Sequence, residues 1–320
     1  MRTILVSGAS TVIGYGILKS LKQAYPDYRL VGVSVHEESA APAFCDVFEK
    51  APLTSDEGYL FWLVELIKKY NVSLAIPGIE LDVFTWSECR IEIEQSGAKL
   101  ILNNLELIQL CSDKWLFYKY LVENESPYAI QSDLEFDEEN HEFPLLLKPR
   151  EGSGSQGISI VSNKEELEEK LKEHWGTMII QPIVGNLNKE YTTSGFFDFN
   201  SQLCAHITLR RTLSTFGFTE TAEVAKIDGI EKALLDLSKI FKPVGPTNFQ
   251  FRIEENQLKL LEINPRISSA TSIRTAFGYN ESSMGVELFL ENKLPEQPFI
   301  RTGRAIRYIE DLIYYDSADI

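Results

Sequence analysis

The chain has 320 residues, of which 44% are hydrophobic and 24% charged, with a formal net charge of -16. That length accommodates two or three domains with a substantial buried interior, and the acidic balance argues against a general nucleic-acid binder, because phosphate backbones select a surplus of Lys and Arg. It stays compatible with a nucleotide, since one basic pocket aided by a divalent cation can hold a triphosphate in an acidic protein.

Residues 3–7 (TILVS) read as a buried strand with no basic-flanked apolar leader before it, and no uncharged run reaches the length of a membrane span. A cytoplasmic location is the resulting expectation. Small residues from Gly8 to Gly16 turn the chain into a helix through about Tyr25, and RLVGVSV (29–35) is a second strand. A helix over 58–70, the apolar segment VSLAIPG (72–78) and the strand KLILN (99–103) continue the alternation. Together they predict an open parallel sheet covered by helices on both faces over about 1–110.

The first turn, SGASTVIGYG, has Gly8 and Gly14 at the outer positions of a dinucleotide-binding pattern, but Val12 replaces its middle glycine. A β-branched side chain there holds pyrophosphate off the backbone. Glu37 suits a ribose, and Tyr15 and Lys19 have the spacing of a dehydrogenase pair, yet both lie on the first helix. A structural turn is the expected role, ahead of NAD(P) binding or a second-substrate contact. Cys45, Cys89, Cys111 and Cys204 form no CxxC pair, so neither a zinc ribbon nor a redox pair is expected.

From about 113 the texture changes. A helix over 113–122 precedes the strand PLLLKPR (144–150), which runs into EGSGSQG and returns as ISIV (158–161). A charged surface helix (164–174) and the strand MIIQPIV (178–184) follow. Next, EYTTSGFFDF (190–199), LCAHITL (203–209), a helix over 228–240, TNFQFRIE (247–254) and LKLLEINPR (258–266) predict an antiparallel sheet with acids and amides near its end. The last twenty residues read as a strand with a short helix, or as a packed tail.

Two clusters carry chemistry. Lys148 ends an apolar strand beside Gly152, Ser153, Gly154, Ser155 and Gly157, where glycines permit close approach and successive N–H groups can cradle phosphate. No Gly-Lys-Ser/Thr follows, so this is not a Walker A loop, and a plain hairpin tip is the alternative. Glu262 and Asn264 leave one face of a strand, with Gln250 on its neighbour, an oxygen-rich set suited to Mg²⁺ that also takes phosphate oxygens. Arg266 would place a permanent cation where phosphoryl charge develops. A polar strand end with a surface salt bridge is the alternative there.

In order, Asp113-Lys114, KPREGSGSQGI (148–158), IIQPIVG (179–185), EYT (190–192), NFQF (248–251) and LEINPRISSATSIRTAFG (261–278) resemble the ATP-grasp superfamily, in particular its carbamoyl-phosphate synthase large-subunit-like branch. The resemblance covers about 113–280. The sheet before it resembles the pre-ATP-grasp domain of such enzymes. An α/β chain is implied, with an open parallel-sheet, Rossmann-like pre-ATP-grasp domain (1–112) followed by a two-lobed α+β ATP-grasp domain. Its small lobe with a glycine-rich lid spans 113–184, and its large lobe with a metal site and carboxy-terminal tail spans 185–320.

The same resemblance implies ATP with Mg²⁺, two ions with Mn²⁺ as a substitute, and assigns roles residue by residue. Lys114 and Lys148 reach the phosphates. Gln181, Pro182, Ile183 and Val184 form the hinge, where the Pro182 carbonyl and the Val184 N–H meet adenine. Glu190 sits at the ribose end, and Arg210 or Arg211 stands near the transferred phosphate, the choice being open. Gln250, Glu262 and Asn264 ligate metal, with Glu262 bridging, and Arg266 holds the acyl phosphate or carboxylate. The implied activity is ligation of a small-molecule carboxylate to an amine through an acyl phosphate, releasing ADP and phosphate. The alternatives are a carboxyphosphate-, carbamate- or thioester-forming relative, a non-catalytic ATP-binding module and an NAD(P) oxidoreductase. Neither nucleic acid nor membrane is an expected partner, and homodimerisation, common among such enzymes, stays open. Ser268, Ser269, Ala270, Thr271 and Ser272, with Arg274, either line the acceptor pocket or start a helix. Tyr15 and residues 78–82 would border that pocket.

Overall fold

The computed structural model describes residues 2–152, 157–173, 176–214 and 217–313. The amino-terminal part runs β1 (Thr3–Val6), α1 (Val12–Ala24), β2 (Arg29–Ser34), β3 (Val47–Lys50), α2 (Tyr59–Tyr70), β4 (Val72–Ile76), α3 (Glu80–Glu88), α4 (Arg90–Gln95) and β5 (Lys99–Leu100). All its strand pairs are parallel, in the order β3-β2-β1-β4-β5. Alternation along β1 explains the two covered faces: Ile4 and Val6 join one apolar core and Leu5 the other. This is the expected open parallel sheet.

Two helices, α5 (Leu105–Ser112) and α6 (Lys114–Glu123), connect it to the rest, and the Asp113 carboxylate caps α6 by accepting from the N–H groups of Trp115 and Leu116. A three-stranded antiparallel sheet follows in the order β7-β6-β8, built from β6 (Leu145–Pro149), β7 (Ser159–Val161) and β8 (Met178–Pro182), with α7 (Lys164–Glu173) between the last two in sequence. A six-stranded antiparallel sheet completes the chain. It is formed by β9 (Glu190–Phe197), β10 (Leu203–Leu213), β11 (Thr219–Val224), β12 (Gly245–Glu254), β13 (Gln257–Asn264) and β14 (Arg304–Ile306), in the order β13-β12-β9-β10-β11-β14. The helix α8 (Ile230–Phe241) buries Ile230, Ala233, Leu234, Leu237 and Phe241, a stripe of helical period, against Phe249 and Phe251 on the back of that sheet. Finally α9 (Thr271–Ala276) and α10 (Glu281–Gly285) lead into a helical turn, Val286–Leu290. The tail resolves as an edge strand, β14, on β11, with no helix after residue 300 among the described residues.

Two apolar cores run across the expected boundaries. Ile4, Ile17 and Leu74 share one core with Ile207, Ile273 and Met284, so the first domain and the large sheet are joined. The helix α6, expected in the small lobe, puts Phe117 and Leu121 into the core of the large sheet instead. Among the described residues the three-stranded unit shares no core with its neighbours and packs around Leu145, Leu147, Leu167 and Ile180. A unit that shares no core with its neighbours can move against them, which suits a lobe that closes over a ligand. None of the described helices is long and apolar enough to cross a membrane.

Candidate functional site

The glycine turn after β1 is filled by the protein itself. Gly8 has φ 54°, and a Cβ on Gly14 would lie 2.1 Å from the Gly8 carbonyl oxygen, while one on Gly78 would lie 2.2 Å from the Ser7 oxygen. The glycines thus serve close packing between the turn, α1 and the end of β4, and Thr11 caps α1 by accepting from Gly14 N–H. Backbone approach that a pyrophosphate would need is spent on these contacts.

A cavity of about 600 Å³ opens between the small sheet and the large one. Its walls include Lys114 from α6, Leu146 and Lys148 from β6, Ser159 and Ile160 from β7, Glu190 from β9, Arg211 from β10, Gln250 and Arg252 from β12, and Leu261 and Glu262 from β13. A smaller cavity, about 310 Å³, is walled by Thr11, Val12 and Ile13, by Gly78, Ile79 and Glu80, and by Asn248, Asn264, Arg266, Ser268 and Ser269. Arg211, Leu213, Gln250 and Glu262 border both. The two spaces meet at those four side chains.

Lys114 and Lys148 lie together because the loop after β6 is tied to the start of α6. The Lys114 ammonium donates to the Gly152 carbonyl at 2.9 Å, and the Arg150 guanidinium pairs with Asp113. Gly152 and Gly157, with φ 113° and 72°, adopt left-handed backbone that favours glycine at both ends of the loop. Ser153, Gly154 and Ser155 lie outside the described residues. Burial pulls the Lys148 ammonium down from 10.5 to about 8, although Glu262 opposes the shift. Between pH 8 and 10.5 the unfolded chain therefore holds more protons at this site, and stability from this residue rises with pH across that window. Replacing Lys148 by Met should stabilise the nucleotide-free protein by about 3 kcal/mol at pH 7, with the advantage fading as pH rises from 8 to 10.5. Urea midpoints at both ends of that range check it, and an advantage independent of pH would refute the buried-cation account.

Alternation on β10 separates the two arginines the sequence left open. Arg211 is 6% exposed and donates from Nε and Nη2 to Glu190 Oε1 at 3.0 and 2.6 Å. Arg210 points to the other face, where it pairs with Glu223 at 2.5 Å in solvent, and it does not line either cavity. Its expected place near the transferred phosphate is thus corrected, because neighbours on a strand cannot share a face.

Gln250 and Glu262 are register partners on β12 and β13. The Asn264 amide donates to Glu262 Oε1 at 2.9 Å, and Arg266 donates to Asn264 Oδ1 at 3.3 Å and to Glu80 Oε2 at 3.2 Å. Among the described residues no three His, Cys, Asp or Glu side chains converge. One carboxylate with two amides fits a cation that draws its remaining oxygens from phosphates rather than from a protein cage.

Gln181, Pro182, Ile183 and Val184 do not line the larger cavity. The Gln181 amide donates to Ser132 Oγ at 2.6 Å, Pro182 sits opposite Leu145, and Val184 is buried. The wall at that end is supplied by Leu187 and Asn188. Arg274, expected at the acceptor pocket or a helix start, is fully buried and pairs with Glu281 at 3.2 Å. Ser268 and Ser269 do border the smaller cavity, as do Gly78, Ile79 and Glu80, whereas Asp82 is buried and accepts from Thr54 and Tyr59. Tyr15 is not in the wall; its hydroxyl accepts from Arg307. Sequence reading missed Arg252, whose placement in the wall follows from strand register across the large sheet, which spacing does not show.

Residues 188–312 match the family described as "ATP-grasp in the biosynthetic pathway with Ter operon". The chain is 24% identical over 337 aligned positions to a carbamoyl phosphate synthase large chain of Thermotoga neapolitana, an alignment covering 94% of this chain and 30% of that one. It therefore spans less than a third of the curated relatives it matches. Among solved structures, N5-carboxyaminoimidazole synthetase from Staphylococcus aureus, complexed with ADP, has a TM-score of 0.73 at 18% identity, covering 93% of this chain and 80% of that one. Biotin carboxylase from Campylobacter jejuni, complexed with β,γ-ATP, has a TM-score of 0.75 at 16% identity, covering 95% and 74%.

Proposed function

From a chain that carries the ATP-grasp fold, we propose an ATP-dependent ligase that phosphorylates a small carboxylate and passes the acyl group to an amine. One observation carries this reading: the larger and smaller cavities share Arg211, Gln250 and Glu262 as a common wall. ATP fills the larger space with its terminal phosphate at that wall, and the carboxylate approaches from the smaller one. A carboxylate oxygen attacks the γ-phosphorus, the bond to the β-phosphate oxygen breaks, and ADP leaves with that electron pair. The amine then attacks the acyl phosphate, expels inorganic phosphate and loses a proton.

Lys114, Lys148 and Arg211 face the charge that accumulates on the phosphoryl oxygens. Arg266, held by Glu80 and Asn264, orients the carboxylate. Gln250, Glu262 and Asn264 would hold Mg²⁺, which supplies neutralisation of phosphate charge when bound. The independent core of the small sheet lets it close over the reacting groups and keep water from the acyl phosphate.

A second reading has bicarbonate as the acid, and it is favoured by the named carbamoyl phosphate synthase, N5-carboxyaminoimidazole synthetase and biotin carboxylase similarities. The volume of the smaller cavity favours a larger organic acid. A screen of carboxylates, bicarbonate and amines for ADP release, with mass detection of the product, separates the two. ADP release only when both an organic acid and an amine are present is the expected outcome. Release with bicarbonate alone would favour the second reading, and release of AMP would overturn both.

A further inference from the structure

On β12 the residues that reach the cavities are two apart, because alternate side chains share a face. Asn248 borders only the smaller cavity, Gln250 both, and Arg252 only the larger. Arg252 therefore stands about 7 Å along the strand from the shared wall, on the side away from the acid.

Its surroundings leave it poorly satisfied. The side chain is 13% exposed, and Nε is buried with no hydrogen-bond partner. The nearest carboxylate, Glu190, stands at 3.8 Å, beyond hydrogen-bond reach, and its Oε1 already accepts from Arg211. Lys148, a second buried cation, lies close enough to feel its charge. A nearly buried guanidinium beside Lys148, with an unpartnered Nε and only a loose ion pair to a carboxylate shared with Arg211, is costly in the empty protein and is relieved by an anion entering the cavity.

We infer that Arg252 is a nucleotide-binding residue whose guanidinium donates to the α-phosphate of the bound nucleotide. The inference rests on the ligase reading, in which the terminal phosphate sits at Gln250 and Glu262 and the rest of the nucleotide extends along β12 past Arg252. The contact is made equally in ground and transition states, so it sets affinity rather than turnover.

The test is ADP binding by calorimetry without metal, with AMP measured by competition, on wild type and on Arg252→Leu and Arg252→Lys. Arg252→Leu should weaken both nucleotides by the same factor, roughly tenfold or more, and raise KM for ATP with kcat held. Arg252→Lys should give a smaller loss for both. The thermal midpoint without nucleotide reports folding separately, and if the Leu variant does not fold the Lys variant carries the measurement. Unchanged ADP affinity in a folded variant overturns the inference, as does a loss confined to ADP with AMP unaffected. A wild-type protein that binds neither nucleotide, with or without Mg²⁺, overturns the ligase reading and this inference with it.

Discussion

Glu262→Gln should lower substrate-dependent ADP release by roughly a hundred- to a thousandfold while the protein folds normally. Glu262 is the one carboxylate in the Gln250, Glu262 and Asn264 set, and it borders both cavities. The amide substitute keeps a carbonyl oxygen for the Asn264 donor at 2.9 Å, so the local hydrogen bond survives and only the charge is lost. In a site of one acid and two amides, that loss removes all the formal negative charge offered to a cation. The expected signature is a fall in kcat, a strong rise in the Mg²⁺ concentration needed, and a thermal midpoint close to wild type. Near-normal turnover with the substrates found by screening would remove Glu262 from the phosphoryl-transfer step.

Arg211 is the informative contrast. Its guanidinium is neutralised by Glu190, and the pair is nearly buried, so deleting the arginine both exposes the cavity wall and strands a carboxylate. A loss of activity in such a variant mixes chemistry with folding, whereas Glu262→Gln does not. The distinction follows from burial alone.

How much of this was legible in the sequence depended on whether a local period carried the signal. The strand β6 opens on an apolar run, Leu145–Leu147, that Lys148 ends beside a glycine loop, so both element and residue are readable. Glu262 and Asn264 are two apart, and strand geometry forces them to one face. Arg210 and Arg211 are adjacent, so one of them must face away, but only the pairing with β9 and β11 tells which. The helix α3 carries buried Asp82 and Ser87 on its inner face, which blurs the apolar stripe by which helices are read. The strand β11, TETAEV, is mostly polar, and its strand character comes from neighbours on both sides. The packing of α6 was hidden for a related reason: it looks like part of the small lobe by position, yet Phe117 and Leu121 find their apolar partners under the large sheet.

For Arg274 the sequence left a pocket role and a helix-start role open, and the structure buries it in α9. Its guanidinium donates to Glu281 at 3.2 and 3.4 Å, to Ser268 Oγ at 2.8 Å, to Thr192 Oγ1 at 3.1 Å and to Asn248 Oδ1 at 2.6 Å. Ser194 also donates to Glu281 at 2.6 Å. Arginine and glutamate are both fully buried, and the network joins α9 and α10 to the front of β9 and β12. Breaking a buried pair leaves an uncompensated charge in low dielectric, so Arg274→Ala should destabilise the protein by about 3–5 kcal/mol.

The loss should be partly recovered in the double variant Arg274→Met, Glu281→Leu, because removing both charges avoids the stranded carboxylate. Recovery is incomplete in that variant, since Ser194, Ser268 and Asn248 lose partners. Thermal and urea midpoints measure both effects. A residue that instead contacted the acceptor would raise KM for it and leave the midpoints in place. Asn248 and Ser268 wall the smaller cavity and are held from behind by Arg274, so the single variant should also weaken carboxylate binding through their displacement. A folded Arg274→Ala protein with wild-type stability would show that this buried ion pair is not what fixes the rear wall of the acid site.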